Sequence, residues 1–495
     1  MASSLSAIGA LDLQVGFATL RMTLGPPSQW TPREQADFAQ ALTDLGARSD
    51  LRALILCGEA LFTDPEGSDQ QAFGVVLDAV AECGVPIVAA ISADATGAGL
   101  ELALACAGRV ATPSAQFRIS SVRRGQLPTH GAIERLPRLV GMRRAAEMIA
   151  LAESMDALEA LRGGLVDALA RVEDLLATAC GVAGDLKSTP AFAAVDPETA
   201  AAELHGLRTA LRRRGPEQCA TLAALKALET AARLPVRRAM VETARQAEAL
   251  ARSDQSQALR YAHESAALLS NWRTFEARQR LALRLRWPLL REAIHLIDEG
   301  ASPGQIDRRL LAFGFPEGPF AEADRRGLNA VFTVGLAGEP PEPWLSYSPT
   351  VDLMIDAGRL GGEKPGWFLH GDTSLGVPAF DRDVGDLIQG SATSQRLSRH
   401  PIDDETVTDR ILLAAINGAA EALQADPALT SALVDAIWTS RLGFPAWKGG
   451  PLRLANQMGL TLVIERLARR AAQRNTAGAP CEILRRRAER GDGLT

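Results

Sequence analysis

The chain has 495 residues, which at roughly 150 residues per domain predicts three domains and excludes a single small module. Hydrophobic residues make up 47% and charged residues 23%, a globular balance that excludes disordered, collagen-like and coiled-coil chains. Basic residues number 53 against 59 acidic ones, net −6, with no long block of one sign, so DNA and RNA are excluded as expected partners.

The first third alternates strand and helix signals. Phe17 to Leu24 predicts a short strand, Pro32 to Gly46 an amphipathic helix, and Leu51 to Cys57 (LRALILC) an apolar strand buried on both faces. A turn-rich stretch at Asp64 to Ser68, a helix through Cys83 and a second apolar strand, Pro86 to Ile91, follow. Such alternation predicts a layered α/β domain. From about Glu198 the strand signals fade into long Ala/Leu/Arg stretches with apolar residues at helical spacing, Thr221 to Arg252 and Ala277 to Asp298, so the second half reads as helical. The six cysteines are scattered without metal-ligand or redox spacing and read as buried thiols in a reducing compartment. The first residues lack the pattern of a secretory signal, and no run of about 18 apolar residues occurs, so a cytoplasmic protein without a membrane partner is expected. Only four lysines are present, and an arginine-rich surface suits bidentate contact with phosphate or carboxylate, although genome composition produces the same bias.

An internal repeat lies in the helical half. Gly314 to Leu328 (GFPEGPFAEADRRGL) recurs as Gly443 to Leu460 (GFPAWKGGPLRLANQMGL), with Pro319, Asp324 and Gly327 answered by Pro451, Asn456 and Gly459. Each copy follows a predicted helix, which implies a duplicated helical unit. Trp367 to Ser398, rich in Gly, Asp and Ser, reads as the irregular connection between the copies.

Chemistry concentrates after the strand PIVAAI, where Gly97 to Glu101 (GAGLE) opens a strong helix former. A dinucleotide-binding turn would need a third glycine where Leu102 stands and an acidic residue about 20 positions on, where Arg118, Ile119 and Ser120 stand. Glycines at a helix start instead leave backbone N–H groups free to bind a developing oxyanion, assisted by the helix dipole. Glu101 is then a carboxylate beside an anion pocket, or alternatively a dipole partner on a surface helix.

PIVAAISADATGAGLELALACAGRVATPSAQF, followed by LPRLVGMRRAAEMIALAESMDALEALRGGLVD, resembles the crotonase (enoyl-CoA hydratase and isomerase) superfamily over about the first 190 residues. The resemblance implies a spiral of ββα units, an acyl-CoA thioester as substrate rather than a bound cofactor, and assembly into homo-oligomers. Glu101 stands where that family places one of two catalytic glutamates, and Ala98, between Gly97 and Gly99, where it places one oxyanion donor. The second glutamate is replaced by Ser121, a poor base at neutral pH. The family's G-A-G-G-T-Q loop is replaced by Thr129 to Glu134, which brings His130 and Glu134 close to the expected pocket, His130 as a catalytic candidate or a solvated loop histidine. The other oxyanion segment reads Ala60, Leu61, Phe62, Thr63, Asp64, Pro65 and departs from the family's A-F-x-A-G-A-D, which puts the donor at Thr63 in question.

Arg212 to Ala262 resembles the helical tail of multifunctional β-oxidation proteins, and the two repeats resemble the C-terminal helical domains of 3-hydroxyacyl-CoA dehydrogenases. The dinucleotide-binding domain of roughly 180 residues expected between them is missing, and Leu283 replaces the asparagine that the helical domain contributes. The expected organisation is a crotonase-like α/β domain (1–190), a helical bridge (191–280) and two all-α dehydrogenase-type domains (281–375 and 376–495). The expected function is lyase or isomerase chemistry on a CoA thioester without dehydrogenase activity, with a thiolase-type protein as a possible partner. The alternative is a catalytically degenerate acyl-CoA-binding or assembly subunit.

Overall fold

The structure, a computed structural model, describes residues 9–14, 16–64, 73–186, 194–212, 218–269, 272, 274–332, 349–368, 381–474 and 478–495. Two compact units divide the chain, Met1–Gln257 and Ala258–Thr495.

The first unit is built on a six-stranded sheet in the order β1 (Gly9–Gln14), β2 (Phe17–Met22), β3 (Ala53–Cys57), β4 (Ile87–Ile91), β6 (Gly108–Ala111), β9 (Ala168–Leu169). β1 and β2 form an antiparallel hairpin, and every later neighbour is parallel. Every residue of β3 and β4 is buried, as their unbroken apolar runs predict for strands covered on both faces. Parallel pairing requires crossovers, and helices Pro32–Gly46, Gly74–Glu82 and Gly97–Ala105 supply the first three. The first crossover matches its predicted bounds because its start is encoded locally: Thr31 and Glu34 form a reciprocal capping box, with Pro32 in the first turn. A smaller sheet, β5 (Ala95–Thr96), β7 (Gln116–Arg118) and β8 (Met155–Asp156), flanks the Gly97 helix. β1 and these two- and three-residue strands were not among the predicted elements, the short ones having too few residues to carry a periodic pattern.

The expected boundary at residue 190 is corrected. Helices Pro197–Arg212, Cys219–Arg233 and Val236–Ala251 pack into the core of the first unit through Ala200, Leu204, Ala224, Leu225, Leu228 and Ala239. Small residues let these helices approach closely enough for Thr221 Oγ1 to donate to the Ala150 carbonyl (3.1 Å) and Arg138 to the Ala231 carbonyl (3.0 Å).

The second unit is helical, and one core joins the two expected domains 281–375 and 376–495, drawing on Leu285, Ile294, Phe320, Ile411, Ile416 and Trp438. Helix Phe275–Glu299 packs on Asp404–Ala425, and a Cβ at Gly418 would come within 2.4 Å of the Pro288 ring. The repeat is visible as paired caps. Asp307 accepts from the N–H groups of Phe320 (3.2 Å) and Ala321 (2.7 Å), and Asp435 from those of Leu452 (2.9 Å) and Arg453 (3.0 Å). Asp324 then holds the N–H groups of Trp367 and Phe368, while Asn456 holds that of Leu494.

The irregular connection expected at Trp367 to Ser398 is also corrected. Arg382–Ser394 is a helix whose N-cap is Asp381, and its small residues serve close packing, Ser391 being bonded to Thr350 (2.6 Å). The part at 369–380 lies outside the described residues. All six cysteines are free, but only Cys57 and Cys106 are buried, the other four being half-buried. Among the described residues no helix is long and apolar enough to cross a membrane, and no cluster of His, Cys, Asp or Glu could hold a metal ion.

Candidate functional site

β4 delivers the chain to a bend at Ser92 and Ala93, β5 and the Gly97–Ala105 helix, and the segment after β3 lies directly against that turn. Gly97 has φ +50°, and a Cβ there would stand 2.5 Å from Asp64 Oδ2. At Gly99 a Cβ would stand 2.1 Å from the Phe62 carbonyl oxygen. Both glycines therefore serve close backbone approach between two loops.

That approach places Asp64 on the expected oxyanion donor. The Ala98 N–H donates to Asp64 Oδ2 (3.1 Å), and the Ser28 hydroxyl donates to Oδ1 (2.9 Å). The Asp64 backbone is pinned separately, its N–H donating to Thr96 Oγ1 (2.9 Å) and its carbonyl accepting from the same hydroxyl (2.8 Å). The second expected donor, the N–H of Thr63, closes a turn onto the Ala60 carbonyl (3.2 Å). Pro65 lies outside the described residues. The departure of this segment from the family pattern is visible in the sequence, but its partner Ser28, 36 positions away, leaves no local signal.

Glu101 is 1% exposed, which overturns the surface-helix alternative. Its Oε1 accepts from the N–H groups of His130 (2.9 Å) and Ala132 (3.3 Å), so the carboxylate fastens the 130–132 loop. Among the described residues its Oε2 makes no hydrogen bond, and it lies 3.5 Å from His130 Nδ1. His130 is 8% exposed and stacks on Phe73 with ring centroids 3.8 Å apart, which overturns the solvated-loop alternative. Thr129 Oγ1 lies 3.3 Å from the same Nδ1. Gly131, at φ +101°, turns the loop into the short helix Ala132–Arg135, and Arg135 donates to the His130 carbonyl (3.0 Å).

Glu134, on that short helix, is buried and accepts from Thr243 Oγ1 (2.6 Å). Burial pushes its carboxyl up to about 7, and the neighbouring Glu101 charge adds to the rise. Ser121 is buried at the start of the single turn Ser121–Arg124, where its carbonyl accepts from the Gln126 N–H (3.0 Å). Glu101 with His130, and Ala98 with Asp64, thus form two constellations, each anchored by one residue of the Gly97–Ala105 helix.

Residues 35–214 match the enoyl-CoA hydratase/isomerase family. The first unit carries a crotonase-type domain. Residues 281–370, in the second unit, match the C-terminal domain of 3-hydroxyacyl-CoA dehydrogenase, and residues 215–280 lie between the two matches. The chain is similar to the peroxisomal bifunctional enzyme of Danio rerio, 32% identical over 200 residues, covering 37% of this chain and 27% of that one. A peroxisomal fatty acid β-oxidation multifunctional protein of Arabidopsis thaliana is 46% identical over 93 residues, 19% of this chain and 13% of that one. The fatty acid oxidation complex subunit alpha of Idiomarina loihiensis is 31% identical over 188 residues, 34% and 26%. The chain therefore spans under a third of the length of each of these relatives. An enoyl-CoA hydratase/isomerase structure from Pseudoalteromonas atlantica aligns with a TM-score of 0.36 and 20% identity, covering 54% of this chain and 98% of that one. The expectation of a cytoplasmic protein is corrected here, because the zebrafish and Arabidopsis relatives are both named peroxisomal.

Proposed function

We propose that the crotonase-type domain acts on a CoA thioester, with Glu101 and His130 as its acid/base pair and without dehydrogenase activity. The observation that carries this reading is the buried carboxylate–imidazole contact, 3.5 Å from Glu101 Oε2 to His130 Nδ1, with the ring clamped on Phe73. Glu101 favours a proton on Nδ1, which leaves Nε2 as the base. Contacts of this kind are often long before substrate binds. Ala98 N–H is the donor for the thioester oxygen once Asp64 has left it. One base that takes a proton from the carbon next to the thioester and returns it two carbons further along suffices for double-bond isomerisation. Addition of water across the double bond calls for the second carboxylate that Ser121 replaces, so isomerisation is the favoured reaction. The expected homo-oligomer and thiolase-type partner stand as proposals on the resemblance alone.

A second reading, a degenerate acyl-CoA-binding or assembly subunit, is favoured by Asp64 on Ala98 and by Ser121. Turnover of a panel of 2-enoyl- and 3-enoyl-CoA esters separates the two. Loss of isomerisation in Glu101→Gln and His130→Asn, with ester binding retained, supports the enzyme. Wild-type protein that binds the esters and turns none of them over supports the second reading.

A further inference from the structure

We infer that Asp64 is a built-in latch on the oxyanion seat, so that a CoA thioester binds productively only when the Asp64 side chain swings away from Ala98. The inference rests on the CoA-thioester reading above and concerns how that site is controlled.

Three observations place the latch. The carboxylate occupies the N–H that a thioester oxygen needs, at 3.1 Å, and is itself buried, 6% exposed. The space it fills exists because residue 97 is glycine, since a Cβ there would collide with Oδ2 at 2.5 Å. Its backbone is held at both N–H and carbonyl by Thr96 Oγ1, separately from the contacts of its side chain with Ala98 and Ser28. Ser28 is the catch. It lies outside the Glu101 and His130 constellation, yet its hydroxyl fixes the other carboxylate oxygen at 2.9 Å.

The chemistry of the contact defines what it opposes. A carboxylate in the seat repels the negative charge that develops on a thioester oxygen, and the hydrogen bonds holding it must break before the ester's carbonyl can replace it. The part of a ligand that does not reach the seat is indifferent to Asp64. Free CoA and a CoA thioester should therefore respond differently to the same substitution.

The full chain and its Asp64→Ala, Asp64→Asn and Ser28→Ala variants are titrated calorimetrically with acetoacetyl-CoA and, separately, with free CoA. Loss of a charge-assisted hydrogen bond in competition with the ligand predicts that Asp64→Ala binds acetoacetyl-CoA at least about tenfold more tightly than wild type. Ser28→Ala should give a smaller gain in the same direction, and free CoA should bind all four proteins alike. Free CoA binding without any gain for the thioester in Asp64→Ala or Ser28→Ala overturns the latch and leaves the CoA-thioester reading standing. Failure of both ligands to bind any of the four proteins overturns the two together. Asp64→Asn, which carries no charge and keeps one acceptor oxygen in place of two, its amide nitrogen being a donor, covers the case in which Asp64→Ala is unstable, because relief of repulsion alone should still tighten the ester.

Discussion

At the level of single residues, Glu101 is a carboxylate fixed by the backbone N–H groups of a neighbouring loop, whereas Glu134 is one whose side-chain donor is the Thr243 hydroxyl. Glu134 shows what the second arrangement costs. Its folded-state value is raised to about 7, so the folded chain binds that proton more tightly than the unfolded one. The stability it contributes is complete below the ordinary glutamate range and is lost as pH rises through about 7. Glu134→Gln should accordingly be more stable than wild type above about pH 7 and show a flatter stability profile between about pH 5 and 8, measured by denaturant unfolding. An unchanged profile would show that Glu134 is ionised throughout. Ser121 carries a second expectation. A general acid/base group contributes about 10²- to 10⁴-fold, so Ser121→Glu should raise hydration of crotonyl-CoA by at least about tenfold if the pocket accepts a carboxylate there. Wild-type hydration at ordinary hydratase rates, with Ser121→Glu neutral or harmful, would assign that work to His130. The candidacy of Glu101 and His130 was legible from motif position alone. Their contact was not, because a separation of 29 positions gives no indication of which loop returns to the helix.

Among the elements, the duplicated helical unit is held by caps that the repeat motif only partly announced. Pro319 and Pro451 open their helices and were visible as repeat positions, whereas the carboxylates that cap them, Asp307 and Asp435, come from the preceding helices. Burial pushes both acids up to about 7. By the same sign as for Glu134, their contribution is present at low pH and is lost as pH rises through about 7, so unfolding of the second unit should move to lower temperature between about pH 5 and 8. Asp435 also accepts from the half-buried Tyr261 hydroxyl (3.1 Å), so Asp435→Ala leaves two helix N–H groups and that hydroxyl without this acceptor. A loss of about 1–3 kcal/mol is expected, or roughly 2–4 °C per kcal/mol for a unit of this size, read by calorimetry. The same elements explain why Trp367 to Ser398 misled. Gly, Asp and Ser mark loops in general, but here Asp381 and Ser391 cap and pack a helix.

For the whole molecule, the unit boundary is the finding with the most practical consequence. A chain ending at residue 190 would strip Ala224, Leu225 and Leu228 from the first core, whereas one ending at Gln257 keeps that core complete. The longer fragment should unfold cooperatively and stay in solution, and the shorter one should aggregate, as monitored by light scattering and circular dichroism. Equal behaviour of the two would show that the added helices contribute no essential cover. The proposal that the chain has no dehydrogenase activity belongs to this scale too. It rests on the absence of a complete G-x-G-x-x-G turn from the sequence and on the short interval, 215–280, between the two family matches. NADH titrated into the full chain should show nothing tighter than millimolar, and micromolar binding would sink the proposal.

What the sequence determined by itself was whatever is encoded within one element or its immediate neighbours. The unbroken apolar strands, the capping box at Thr31, the GAG turn and the repeated helical starts all follow from local periodicity and backbone freedom, and they specified the α/β and all-α halves. The tertiary structure alone decided which side chains meet. Asp64 reaches Ala98 across 34 residues and Thr243 reaches Glu134 across 109, and neither pairing leaves a periodic trace, because a hydrogen bond between distant segments constrains only two residues. The unit boundary was hidden for a related reason. The alanine-rich faces of Cys219–Arg233 and Val236–Ala251 show that each helix has a side to bury, but only the assembled core reveals that the side is buried against the first unit.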